Sequence, residues 1–594
     1  MSSQSRLQKQ GPKSGSGSRL FDVGALVILI TLGAVVPLLI AQSSGALRIP
    51  RSDDWSYLTT LFRWIDGNGL SFNRWVSMTL VGQLLIAAPV ALIAHHSIAA
   101  VHIETALIGA IGLGSLYFLG IRVTKHRSAA LLVAVTMTLS PIWIGLAATY
   151  MTDIPTFTLQ TLMLSAAAKG ILGTKKRTHW LVASAALGVA GCSIRQFAIV
   201  PLVATLIVFA LVAKREKNPV LMRATMAVGL LSVISVTAII IYWSHIPDPL
   251  QGAPIHPSAG SIREASARGL GYLRLCGLLL IPVIAYAGPV RITKRAWEAS
   301  KAITIALSVA LTIGLAGSAA TLGEDAFVGN YMHPRGILGD DVLETGTRPY
   351  LIAKPAWLVI VAIGSVGAIL ICLVVVPALK ELSNRYRNRR DPNSKNVLDI
   401  DPISALFGIT LAGLFAAYIS TDALQINRFP IFDRYVIAGL PLVALLILRS
   451  PSFGESAQPR RSPVRVSGLI ASILFLSSLG MIWGIDSARY DATRWLVAQD
   501  AVAKGFNPLD IDGGFEWVSW HRQKGGLFAD TESERKINRS KYFAPLCVSL
   551  ANDPQLRDTQ IEDLIAMRTY RSPLGANRKI IALRNNRKCG GTAP

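Results

Sequence analysis

The chain has 594 residues, of which 51% are hydrophobic and 16% charged, and its mean hydropathy is +0.45. Soluble domains carry about 25% charged residues, so a soluble globular protein is excluded. The net charge of +24 does not point to a nucleic-acid partner. Lys and Arg are scattered through short segments between long apolar runs, which is the pattern of a positive-inside bias with some attraction to anionic headgroups.

Residues 1–20 form a basic, Ser/Gly-rich tail carrying Arg6, Lys9, Lys13 and Arg19, read as a disordered cytoplasmic tail. The apolar run 21–41 exceeds the 7–15 residues usual in a signal-peptide core, so it reads as an uncleaved first span. Ala41-Gln42-Ser43 leaves cleavage open. Residues 43–97 form a first outer loop with interfacial helices, and Trp55, Trp64 and Trp75 suit the headgroup level. Within it, 76–94 is apolar enough to span but contains Pro89 and ends in His95-His96. A crossing there would flip every later basic segment, so it reads as interfacial or re-entrant.

Further spans are predicted near 98–121, 129–149, 154–172, 179–194, 197–213, 220–243, 270–290, 301–322, 355–379, 402–421, 435–449 and 467–485. Each is near the roughly 20 residues that cross the hydrocarbon core, and lipid demands helices. The expected fold class is an all-α polytopic membrane protein of about thirteen transmembrane helices, occupying 21–485, with a small C-terminal α/β domain over 486–594. Arg122, Lys125, Arg127, Lys175, Lys176, Arg177, Lys214 and Arg215 then share one side with the tail. This orientation places the N-terminus in the cytoplasm and 486–594 outside, across a plasma (inner) membrane. In that last domain a helix is expected over 491–504, a turn over 510–514 and two strands over 561–571 and 578–584. Cys547 and Cys589 both fall there, and their pairing would suit an oxidising compartment.

Carboxylates near lipid are costly unless they have a partner or a task. Asp53 and Asp54 (Arg51-Ser52-Asp53-Asp54-Trp55), Asp153 (Met151-Thr152-Asp153-Ile154-Pro155), Arg195, Arg428, Asp433 and Arg434 all fall on the outer face. A carboxylate can draw a proton from an attacking hydroxyl, and a guanidinium can hold a phosphate leaving group bidentately. Plainer readings stand beside this one. Ser52-Asp53-Asp54 and Thr152-Asp153 could cap helices, and Asp433-Arg434 could be a local ion pair. His95-His96 reads as an interfacial pair, and no Walker loop supports nucleotide hydrolysis.

These motifs resemble the GT-C superfamily of integral-membrane glycosyltransferases, and most closely its protein O-mannosyltransferase and lipid A aminoarabinose transferase branch. An acidic pair opens the first outer loop, Met-Thr-Asp-Ile-Pro follows the third span, and Arg434-Tyr435 leads an apolar run to Pro441. A soluble outer domain ends the chain. The resemblance implies transfer of a sugar from a polyprenyl-phosphate donor to a hydroxyl of a protein, lipid or glycan, with inversion. Asp53 would be the base and Asp153 the second acidic group. Asp54 departs from the family's Asp-Glu pair. Arg195, Arg428 and Arg434 are assigned to the donor phosphate on charge and side alone. Some members use a divalent cation, and Asp53, Asp54 and Asp153 would be compatible with magnesium or manganese, though nothing demands one. Two other classes remain: a transporter or flippase of lipid-linked glycans, for which internal symmetry and midplane charge are expected, and a non-catalytic assembly subunit.

Overall fold

The structure is a computed structural model that describes residues 16–72, 75–247, 258–340, 342–343, 346–387, 401–424, 432–449, 463–521, 546–552, 563–585 and 589. It is predominantly helical. Among the described residues, eight helices are long and apolar enough to cross a membrane, or ten if two bent pairs each count as one span. This count does not confirm the expected thirteen. Spans predicted at 154–172, 179–194 and 435–449 do contain helices, but the helices Arg177–Cys192 and Leu440–Arg449 have only 16 and 10 residues. The 20-residue helix Asp153–Leu172 is buried along most of its length. Facing protein rather than lipid, it can carry Thr, Gln and Ala in place of larger apolar residues.

The bends have local causes. The pair Arg127–Thr138 and Pro141–Ala147 turns through 68°, where the Ser140 hydroxyl accepts the Trp143 N–H at 3.1 Å and Pro141 starts a new helix. The helix Val81–Ile93 has 13 residues with Pro89 inside it, about 20 Å long and too short to cross.

Small residues bring helices together, as is usual in membrane bundles. Ile98–Thr124 packs on Asp153–Leu172 through Gly109 and Gly112. The Thr158 hydroxyl donates to Ile108 O at 2.9 Å and the Thr161 hydroxyl to Gly112 O at 3.2 Å. This seam sets the height of Asp153, the first residue of its helix.

The helix Pro463–Ala503 has 41 residues and is roughly 60 Å long. It runs without a break through residue 485, so its apolar half and its C-terminal half form one rod. Its C-terminal half packs against a four-stranded sheet of β1 (Ile511–Asp512), β2 (Val548–Asn552), β3 (Leu564–Arg571) and β4 (Asn577–Arg584), in the order β1-β2-β4-β3. β1 pairs with β2 in parallel, and the other pairings are antiparallel. Trp495, Val497 and Ala501 meet Val548, Leu550 and Ile580 in this second core. Cys547 and Cys589 form a disulfide. The segment 323–352 is tied to the rod by Arg348 Nη2, 2.7 Å from Asp486 Oδ2, and to the sheet by Arg578, which donates to Pro349 O and Tyr350 O at 2.6 Å each.

Candidate functional site

Asp53 precedes the helix Asp54–Ile65 but does not cap it through its side chain. Its carboxylate accepts from Trp75 Nε1 at 2.8 Å on Oδ1 and from Arg434 Nη2 at 2.7 Å on Oδ2. The capping reading therefore fails for Asp53. The segment that carries it is braced from the C-terminal part of the chain. Arg51 Nε lies 2.9 Å from Asp491 Oδ2, and the Ser52 N–H donates to Glu516 Oε1 at 3.3 Å. Ser52 has a φ of 56°, a left-handed conformation uncommon for a non-glycine residue, and these contacts hold it.

Asp54 points elsewhere. It is fully buried, accepts the Arg51 N–H at 2.6 Å and the Tyr150 N–H at 3.3 Å, and lies 3.0 Å from His102 Nε2. Burial pushes its carboxyl above the usual range, against the opposing pull of His102. The two halves of the acidic pair thus separate, and Asp54 joins the start of the helix Asp54–Ile65 to the helix Ile98–Thr124 rather than facing Arg434.

Asp153 opens the helix Asp153–Leu172, whose N-cap, Thr152, makes no side-chain capping bond. Asp153 Oδ1 accepts from Arg195 Nη1, while Oδ2 is buried without a partner. Arg195 also lies over the Tyr435 ring, 4.4 Å from its centroid. Arg434 stands between the two carboxylates. Burial would lower its pKa, but Asp53 first and Asp153 second hold the guanidinium well above its ordinary value. Its Nε and Nη1 are buried and unpartnered. Tyr57 is buried beside the same four charges. Burial first, then Asp53, raises its phenol well above the usual range.

Asp433 turns from Arg434 to the backbone, its Oδ2 accepting N–H groups of Asn330, Tyr331 and Met332 at 3.2, 2.7 and 2.6 Å. It docks residues 330–332 onto the 433–438 turn, a positioning role. Arg428 lies outside the described residues. The structure therefore brings Asp53, Asp153, Arg195 and Arg434 together and leaves Asp54 apart from them. Among the described residues no three His, Cys, Asp or Glu side chains could hold a metal ion. Asp53 and Asp153 are each engaged by an arginine, so the three aspartates do not fit a divalent-cation site.

Beside Asp153 and Arg195 a narrow cleft of about 30 Å³ opens between helices, walled by Phe157, Phe197, Leu414, Tyr418, Tyr435 and Ile437. That is about the space of one water molecule. Phe197 meets Tyr418 and Tyr435 edge-on, with centroids 4.9 and 5.9 Å apart. Sequence reasoning missed Trp75 and Tyr435 as site residues, although Tyr435 directly follows Arg434. It also missed Tyr57, one helical turn after Asp53.

Residues 78–243 match the family model described as dolichyl-phosphate-mannose-protein mannosyltransferase. The matched region contains Asp153 and Arg195, and it agrees with the GT-C resemblance of the motifs. A comparison with curated proteins finds no match. Among solved structures, ArnT from Cupriavidus metallidurans bound to undecaprenyl phosphate is similar with a TM-score of 0.39 and 12% identity, over 98% of this chain and 100% of that one. The same protein in its apo state gives 0.39 and 13%, over 95% and 97%.

Proposed function

We propose that this membrane protein is a GT-C-type glycosyltransferase that moves a sugar from a polyprenyl-phosphate donor to a hydroxyl acceptor at the outer membrane face, with inversion. The observation that carries the reading is Arg434, set between two carboxylates with two buried N–H donors unpaired. Unmet buried donors cost about 1–3 kcal/mol, more when charged, and phosphate oxygens would satisfy them, bidentately once the phosphate displaces Asp53 from Nη2 and takes a whole fork of the guanidinium. The family match over 78–243 supports a dolichyl-type, and hence polyprenyl, phosphate as the donor. The aromatic and aliphatic cleft beside Arg195 suits the start of the lipid chain, once its walls part.

The step is a single displacement. The acceptor oxygen forms a bond to the anomeric carbon as the bond from that carbon to the phosphate oxygen breaks. The acceptor proton passes to Asp53, and both electrons of the broken bond leave with the polyprenyl phosphate. Arg434 links the two events. While it pairs with Asp53, the guanidinium occupies Oδ2 of that carboxylate. When the donor phosphate takes over its N–H groups, Asp53 is released to act as base, still oriented by Trp75 Nε1 at 2.8 Å. Arg195, held by Asp153, supplies the second positive charge for the leaving phosphate. Apolar walls exclude water and limit hydrolysis of the donor. The disulfide between Cys547 and Cys589 supports an oxidising, extracytoplasmic setting for the 486–594 domain, which would bind the acceptor or cover the site.

The test is a transfer assay with purified protein and a set of polyprenyl-phosphate sugars. Sugar transfer by wild type that is lost in Asp53→Asn supports the reading. Lipid movement between leaflets without transfer would replace it with a transporter.

A further inference from the structure

A second charged cavity lies far from this site. The helix Asp153–Leu172 carries Asp153 at one end and Lys169 sixteen positions later, about 24 Å away along its axis. Around Lys169 the structure opens a cavity of about 810 Å³, bounded by Ile98–Thr124, Asp153–Leu172 and the start of Arg127–Thr138. This is a size that accommodates a drug-sized ligand. Its basic lining is Arg122, Lys125, Arg127 and Lys169, and no acidic side chain lines it. Arg127 is paired with Asp22, Nε to Oδ1 at 2.9 Å. Among the described residues no carboxylate pairs with Arg122, Lys125 or Lys169. Arg122 reaches only the Ser165 carbonyl at 3.3 Å, and Lys169 rests over the Trp180 ring at 4.3 Å.

The rest of the wall is apolar and open to the surroundings. Ile111 and Phe118 line the cavity and are 59% and 42% exposed. Gly114, Ser115 and Ser165 keep the floor low. Basic residues at one end of an apolar groove, among spanning helices, match a molecule with an anionic head and hydrocarbon chains. A free anion would use the basic end but leave the apolar wall uncovered.

We infer that this cavity is a binding site for an anionic phospholipid, with its phosphodiester between Arg122, Lys125 and Lys169 and an acyl chain along Ile111 and Phe118. The site is separate from the proposed donor site and does not depend on it.

The experiment is native mass spectrometry of the full-length, delipidated protein. It is titrated with phosphatidylglycerol or with phosphatidylcholine of the same chains, and again with phosphatidylglycerol in the presence of millimolar inorganic phosphate. Phosphatidylglycerol is expected to bind at least tenfold more tightly than phosphatidylcholine and to resist displacement by phosphate. Each lost lysine is expected to weaken it about fivefold, so Lys125→Gln with Lys169→Gln should cost well over tenfold. Lys125→Gln alone, at an exposed position, provides the same reading if the double variant folds poorly. Lys214→Gln, an exposed lysine outside the cavity, should leave affinity unchanged. Equal binding of the two lipids, full displacement by phosphate, or equal losses in Lys214→Gln and Lys125→Gln would each overturn the assignment.

Discussion

Arg434 Nη2 lies 2.7 Å from Asp53 Oδ2, joining side chains 381 positions apart in the sequence. The pair closes the gap between the first outer loop and the turn that follows the Pro402–Ala423 helix. Because Asp53 is oriented from both sides, by Arg434 and by Trp75, replacing its carboxylate by an isosteric amide removes basicity with little change of shape. Asp53→Asn is expected to lower the transfer rate by about 10²–10⁴-fold, the range for a lost general base, and also to lower the melting temperature in detergent, because the buried Arg434 loses a paired counter-charge. Retention of full activity would remove Asp53 from the base role.

Asp153 makes a second prediction, because it too pairs with a buried arginine. Arg195 and Asp153 have side-chain exposures of 7% and 1%. Asp153→Asn would leave a buried guanidinium without its counter-charge, at a cost of about 3–5 kcal/mol. Asp153→Asn combined with Arg195→Met should recover much of that stability but none of the activity. Thermal unfolding of the singles and the double, alongside the transfer assay, separates the two effects. A helix-capping role would instead predict activity in Asp153→Asn and no recovery in the double.

The outer segment gives a pH prediction through His333. Burial pushes its imidazole down to about 4, outweighing the upward pull of Glu324 and Asp340, with Arg335 and Arg348 adding to the depression. Its Nδ1 accepts the Arg335 N–H at 3.3 Å, a bond that only the neutral ring can make. A histidine with a depressed folded pKa binds a proton first in the unfolded chain. Its stabilising contribution is therefore present above about 6.5 and is lost as pH falls towards 4, by up to ~3 kcal/mol. Hydrogen exchange over residues 323–340 should accelerate across that window in wild type. In His333→Gln the change should be much smaller; an unchanged profile would show that another group titrates.

Asp53, Asp153, Arg195 and Arg434 could be picked out together in the sequence because each sits next to the end of an expected span, and the structure brings the four together. Asp54 was not separable from Asp53. Consecutive residues at a helix start point in different directions, and the partner that captures Asp54, His102, lies inside an apolar stretch where composition hides it. The expected thirteen spans are not confirmed for a related reason. Hydropathy reports what a helix is made of, but Asp153–Leu172 is enclosed by other helices, and 435–449 splits into a 3-10 turn and a 10-residue helix. The outer end of Pro463–Ala503 was read as a separate helix because its apolar character stops at 485, whereas its helical hydrogen bonds do not.

The packing of Ala259–Leu279 on Lys354–Leu373 supplies a last prediction. A methyl group on Gly277 would sit 2.2 Å from Gly364 O and 2.3 Å from Ala368 N. Both are backbone atoms of a facing helix, so no side-chain rotation can relieve the clash and the two helices must separate. The same region holds Arg274, fully buried, whose guanidinium donates to Ser365 Oγ at 3.1 Å and to the Ala326 and Leu315 carbonyls. Separation would strain these bonds as well. It would also pull on Tyr272, whose hydroxyl donates to Phe432 O at 3.0 Å, two residues before Arg434. Gly277→Ala should therefore destabilise by about 1–3 kcal/mol, as overpacking does, and reduce transfer activity through the Arg434 turn. Gly317, inside the Lys301–Leu322 helix, has open space around it, with nothing within 4 Å of where an alanine methyl would sit. Gly317→Ala should leave stability unchanged or raise it by about 0.5–1 kcal/mol through helix propensity. Parallel melting curves of the two alanine variants check the contrast. Equal behaviour would mean that the close contact at Gly277 does not limit the approach of the two helices.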